Sequence, residues 1–325
     1  MITRIYACNA GKIAPYFRPK NNSAAASFKG KEDTSGIRQN KNECTGSPAQ
    51  TTTTKPTANF DSASLPEDVK TIYLSAQDML QNLAATNKSI KRACIEAQFE
   101  ARKAQKKAKE TSALYKGKIP AKVAVQNNDD SEDIMFFKNG TLTAYRKGEK
   151  RTGEKTQIDK LFVFENGKLS AYKEGITTTP KKGSAKQDIE ISKSLEFSGI
   201  STFYKENYKS IAGKAPETDK FVYLVLGKPW FFEEGITEKY KEKPGRIKRR
   251  IEFSNEEKTT YSYQEETTIG SSAKSIAKGL YVENSIPYRY CEDEFFQTNS
   301  LSFNSYQYKK IFTLTDGKWH TSTMF

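Results

Sequence analysis

Between Val69 and Thr111, apolar or small residues recur in alternating steps of four and three. They are Val69, Tyr73, Ala76, Leu80, Leu83, Asn87, Ile90, Cys94, Ala97, Ala101, Ala104, Ala108 and Thr111. This heptad spacing lays them along one stripe of an α-helix. Ser64 and Glu67 stand at capping-box spacing around Pro66, no glycine follows until Gly117, and Pro120 lies just beyond, so one long amphipathic helix is expected over 64–118. Its uninterrupted part would be roughly 75 Å long. The front of the stripe carries large side chains and the back carries alanines, so a partner can approach more closely toward the C-terminal end. Leu80, Leu83, Asn87, Ile90 and Cys94 are the positions expected to pair it with a second copy of the chain, with Asn87 setting register as a buried polar residue. Packing against the chain's own sheet is the alternative.

Past residue 134 the period changes from helical to two. Phe136-Phe137-Lys138-Asn139-Gly140-Thr141-Leu142-Thr143-Ala144-Tyr145 is followed by a near copy, Val163-Phe164-Glu165-Asn166-Gly167-Lys168-Leu169-Ser170-Ala171-Tyr172. Alternating runs around Asn-Gly predict antiparallel strands joined by a type I′ turn, because both residues tolerate positive φ. Looser copies turn near Gly199, Gly227, Glu256, Ser285 and Gly317, separated by 27, 32, 28, 29, 29 and 32 residues counting from Gly140. A period of about 30 marks a repeat architecture. Lys173-Glu174-Gly175-Ile176-Thr177 and Glu233-Glu234-Gly235-Ile236-Thr237 match two periods apart. Leu161 to Phe164 and Phe221 to Leu226 lack a polar side and should be central strands covered by something else. The charged stretches Gly148 to Lys160 and Glu238 to Arg250 are expected as connectors. The expected fold class is α+β: one long amphipathic N-terminal helix followed, over 134–325, by an antiparallel array of about seven β-hairpins. Single hairpins are marginally stable, so the units must pair or stack.

These aromatic-strand, Asn-Gly, aromatic-strand units resemble MORN-type and related bacterial β-hairpin repeats, in which tandem hairpins form an elongated ribbon. The resemblance implies a scaffold or binding surface with no catalytic residues to carry over.

The chain has 325 residues and a formal charge of +14, with 36% hydrophobic residues. Residues 1–63 carry about +5, residues 64–118 about +5 and the remainder about +4. The basic excess therefore belongs to the tail and the helix. Residues 1–63 are rich in Ser, Thr, Asn, Lys and Gly and are expected to be a disordered basic tail, since they hold too few aliphatics to offset their ordering entropy. Residues 119–133, with Asp129, Asp130, Glu132 and Asp133, read as an acidic linker. Cys8, Cys44, Cys94 and Cys291 are widely spaced, which suggests reduced thiols rather than a zinc site or disulfide framework. No membrane span or secretory signal is legible, so a cytoplasmic location is the default and non-classical secretion stays open.

Catalytic chemistry has little to build on. His320 is the one histidine, which limits histidine-based nucleophilic and metal sites. Glu233-Glu234, Glu256-Glu257, Glu265-Glu266 and Glu292-Asp293-Glu294 could supply two carboxylates to a hydrolase only if two converge in a cleft. No phosphate-cradling glycine loop is present and no cofactor is implied. Arg246, Lys248, Arg249 and Arg250 are the candidate anion-binding residues, and Arg102, Lys103, Lys106, Lys107 and Lys109 form a basic band on the helix. The expected function is a non-enzymatic scaffold or protein-binding repeat protein. The alternatives are a basic adaptor for nucleic acid or an anionic membrane surface, or a carboxylate hydrolase.

Overall fold

The computed structural model describes residues 62–115, 118–181, 187–212, 216–240, 243–268, 274–297 and 304–324, side chains excepted at 63, 236–240, 243–246, 268, 274–275, 294–297, 304–309 and 323–324. The tail expected over 1–63 lies almost wholly outside these residues, as do Cys8 and Cys44. A short 3-10 turn, Ser62–Ser64, leads into the helix α1 (Glu67–Ala113). Fifteen strands follow: β1 (Lys122–Gln126), β2 (Glu132–Lys138), β3 (Thr141–Thr152), β4 (Lys155–Glu165), β5 (Lys168–Pro180), β6 (Gln187–Ser198), β7 (Ser201–Ser210), β8 (Lys220–Val225), β9 (Lys228–Tyr240), β10 (Lys243–Phe253), β11 (Tyr261–Thr268), β12 (Lys274–Glu283), β13 (Ile286–Gln297), β14 (Asn304–Thr315) and β15 (Lys318–Met324). They form one antiparallel sheet in sequence order, in which, among the described residues, β1 pairs with β2 alone and β15 with β14 alone.

All seven expected turns join an even-numbered strand to the next odd one. At Asn139-Gly140 the φ angles are 52° and 78°, and at Asn166-Gly167 they are 52° and 74°, as a type I′ turn requires. Leu226-Gly227 adopts the same geometry at 50° and 74°. Three other expectations need correction. The charged connectors are strands: β3 continues through Thr152 and β4 starts at Lys155, while β9 runs to Tyr240 and β10 starts at Lys243. Charged side chains do not oppose strand formation when cross-strand partners of opposite sign are available, as Lys160 and Glu174 show. The acidic linker contains β1, and its acids form the β1–β2 turn and the first residues of β2. The capping box does not form; Pro66 occupies the cap position without a side-chain hydrogen bond, and Glu67 and Asp68 complement the helix dipole instead.

One apolar residue from each strand, β1 to β14, stands directly beside the next. The row runs Val123, Met135, Tyr145, Phe162, Tyr172, Leu195, Tyr204, Val222, Phe232, Ile251, Tyr263, Leu280, Tyr290 and Phe312. None is more than 7% exposed, because α1 lies across them in the same core. The helix crosses the strands rather than running along them. Asp68, near its start, reaches Lys310 on β14, and Lys107, near its end, reaches Asp133 on β2. The 39 residues between Asp68 and Lys107 rise about 58 Å. The twelve strand spacings from β14 to β2 come to about 58 Å as well. About one heptad therefore spans one hairpin, which is the physical reason a heptad stripe can serve a sheet.

The buried stripe of α1 is Val69, Ile72, Ala76, Met79, Leu83, Thr86, Ile90, Ala97, Ala101, Ala104 and Ala108. Leu83 and Ile90 are buried as expected, whereas Leu80, Asn87 and Cys94 are half-buried at its edge, with Ile72, Met79 and Thr86 in the centre. The stripe meets the chain's own sheet, so the surface assigned to subunit pairing is already covered within a single chain. The alanines of its C-terminal half, Ala97, Ala101, Ala104 and Ala108, are buried against the sheet.

The long strands also bend. Gly148 (φ 67°), Gly175 (φ 58°) and Asn207 (φ 50°) are left-handed within β3, β5 and β7. A Cβ on Gly175 would run into Ser192 Oγ, so only glycine fits there. Beyond this bend Ile158, Ile176 and Ile191 form a second small cluster with Leu161, Ile189 and Tyr208.

Candidate functional site

Two residues from the apolar row runs a row of alternating charge. From β4 to β14 it reads Lys160, Glu174, Lys193, Glu206, Lys220, Glu234, Arg249, Glu265, Lys278, Glu292 and Lys310, each opposite the next. Odd strands thus carry an aromatic residue two before Glu, and even strands carry Lys or Arg two before an apolar residue. Tyr172, Tyr204, Tyr263 and Tyr290 each donate their hydroxyl to the Glu two residues on. Burial, followed by the neighbouring carboxylate, raises these tyrosine pKa values. Helix acids meet the basic rungs: Asp78 lies 3.0 Å from Arg249 and Glu96 3.3 Å from Lys160. Ser75 sits 2.7 Å from the Tyr263 hydroxyl and donates to Glu265 at 3.0 Å.

At the far end Asp133 closes the seam. Its carboxylate accepts from Lys107 Nζ at 2.5 Å, the Tyr145 hydroxyl at 2.6 Å, Asn127 Nδ2 at 3.0 Å and the Gly148 N–H at 3.0 Å. Burial pushes this carboxyl up, but the four donors outweigh burial and hold it at about 2. The acid that the sequence assigned to a linker is therefore an anchor for the helix.

The structure does not gather the candidate anion-binding residues into one patch. Arg249 faces the helix between Asp78 and Glu234. Lys248 and Arg250 both pair with Glu233, at 3.0 and 2.8 Å. The side chain of Arg246 lies outside the described residues. Glu233 and Glu234 point to opposite faces, as neighbours in a strand must. Glu256 and Glu257 lie exposed in the β10–β11 turn, and His320 lies exposed on β15. Cys94 and Cys291 form no disulfide. Among the described residues no cluster of three or more His, Cys, Asp or Glu is placed to hold a metal ion.

The sheet face turned away from α1 holds a patch the sequence reading missed. Across β6 to β10 one row reads Glu196, Phe203, Tyr223, Phe231, Glu252, and the row beside it Ser194, Lys205, Phe221, Glu233, Arg250. Phe203 stacks on Tyr223 with centroids 5.1 Å apart, and Phe221 lies 5.6 Å from Phe231. Arg250 stands over Phe231 at 5.2 Å and Lys205 over Phe221 at 6.0 Å. The aromatic residues are half-buried by one another, and α1, the one helix among the described residues, lies on the other face. In sequence Phe231 and Arg250 are far apart, so no basic stretch looked interleaved with aromatics. An aromatic residue between the two members of a charge-apolar pair, such as Phe221 between Lys220 and Val222, was the available signal.

In the β10–β11 turn, Lys258 (φ 63°) holds its Nζ 4.1 Å over the Trp230 ring and 4.8 Å over that of Phe253, buried without a hydrogen-bond partner. Burial and then Lys228 lower its pKa to about 8. No helix among the described residues is long and apolar enough to cross a membrane. Comparisons with protein-family models, curated proteins and solved structures find no match for the chain.

Proposed function

We propose that this protein is a non-enzymatic scaffold that holds a protein partner on the outer face of its sheet, at the aromatic patch on β6 to β10. The observation that carries this reading is the patch itself: four aromatic side chains packed on one another, with no other described element over them, on a sheet whose two edge strands have no further partner among the described residues. An open sheet presents a broad surface rather than the enclosed cavity of a barrel, which suits a macromolecule better than a small ligand. The patch combines Glu196, Glu233 and Glu252 with Lys205 and Arg250, and this near balance favours a protein surface over a polyanion. Aromatic residues beside Arg are also the side chains that most often dominate protein interfaces.

The test replaces Tyr223 in the full chain with a photo-crosslinking phenylalanine derivative and irradiates cells that express it. One discrete polypeptide adduct is expected from position 223 and none from the exposed turn position Asp316. Its yield should fall when Phe203 and Phe231 are both changed to Ala. Equal adducts from both positions, or none from 223, would overturn the reading.

A further inference from the structure

The helix has a second face. Opposite the stripe that packs on the sheet, Ile95 and Phe99 are 63% and 57% exposed. Lys88 and Arg92 precede them and Arg102, Lys103 and Lys106 follow, all exposed. Steps of three and four place these residues on one outward strip over about five turns. Lys103 extends its Nζ 4.2 Å over the Phe99 ring and also reaches Glu100 at 3.1 Å. The acids of this half of the helix mostly turn toward the sheet, where Glu96 pairs with Lys160 and Glu100 with Lys147. Glu110 is the exception, exposed 3.9 Å from Lys106. The division of charge leaves a cationic outward strip with two large apolar side chains at its centre.

Sheet packing does not account for that strip, since none of its seven residues belongs to the buried stripe. Cations alone would suit any polyanion. Ile95 and Phe99 add a demand for an apolar environment beside the negative charge, and an anionic bilayer surface supplies both: lipid phosphates for the cations and the upper acyl region for the apolar pair. We propose that α1 seats the protein on an anionic membrane surface with its axis parallel to the bilayer, Ile95 and Phe99 entering between headgroups. The helix lies on the membrane rather than through it, in keeping with its charge. This attachment is independent of the protein-binding patch, which lies on the far side of the sheet from α1.

The test is sedimentation of the full chain with vesicles of phosphatidylcholine, with and without phosphatidylglycerol. Binding is expected only to the anionic vesicles and should fall as salt rises. Two variants separate the contributions of α1 from those of the basic tail: Ile95→Asn with Phe99→Asn, and Arg92→Gln with Arg102→Gln, Lys103→Gln and Lys106→Gln. Every changed side chain is exposed, so circular dichroism should match the parent chain. Each variant is expected to weaken partitioning about tenfold or more. Equal binding to neutral vesicles, or unchanged binding by both variants, overturns the proposal. If the apolar variant binds like the parent while the charge variant does not, the strip is a polyanion site; displacement by single-stranded DNA would then identify a nucleic acid, and the bilayer reading fails.

Discussion

The two faces of the sheet obey different rules. On the face beneath α1 the strands from β1 to β14 each repeat one apolar rung and, from β4 to β14, one charged rung. On the outer face the aromatic cluster of β7 to β9 gives way to Val163 and Ala171 in one direction and to Ser262 in the other. The difference has a mechanical origin. A single helix lies across the hairpins on the inner face, so each must offer a similar height and charge at the same place. Among the described residues the outer face has no such common partner, so its composition is not held to one repeat. Repetition therefore marks the face that α1 covers, and departure from repetition marks the face it leaves free.

Adjacent residues on one strand allow the contrast to be tested directly. Phe232 is fully buried under α1, whereas its neighbour Phe231 lies in the outer patch. Phe232→Ala should cost about 3–5 kcal/mol in urea unfolding and Phe231→Ala about 1 kcal/mol, because only the first leaves a cavity. Comparable losses would mean that the outer patch is structural. The next pair tests charge. Arg249→Ala strands Glu234 in the seam and should cost about 3 kcal/mol. Arg250→Ala, which removes a partly exposed pair with Glu233, should cost under about 1 kcal/mol. Equal effects would remove the energetic distinction between the faces.

The smallest effect concerns acid. Asp133 has an ordinary value of 3.8 and is held at about 2 in the folded chain. Its contribution to stability is therefore complete above about pH 4 and is lost as the pH falls toward 2, because the unfolded chain takes up the proton first. Asp133→Asn should be less stable than the parent at neutral pH, with the gap narrowing through this window. A gap independent of pH would show that the carboxylate charge is not what anchors the end of α1.

The turns were the most legible part of the fold, because positive φ demands Asn or Gly and such pairs stand out between alternating runs. Even Leu226-Gly227 was found, through its glycine and its spacing. The helix was legible through its period and the absence of breakers, although its centre line was drawn through Leu80 and Asn87 rather than Met79 and Thr86. A flat sheet contacts a broader strip than a second helix does, so a heptad pattern alone does not distinguish the two partners. Asp133 was hidden because three of its four donors come from other elements, Lys107 on α1 and Tyr145 and Gly148 on β3. The outer patch was hidden because its residues are contributed by five strands.

Local chemistry in the sequence thus determined the element types, the hairpin turns and the period of about 30, since each depends on backbone preferences over a few residues. Tertiary structure decided what the helical stripe covers, which charges are buried and which aromatics meet. Those outcomes depend on a match of lengths that no local window contains: one heptad of helix rises about 10.5 Å, close to the width of two strands. Because the two repeats agree, an amphipathic helix that could have paired with its own copy instead spans its own sheet.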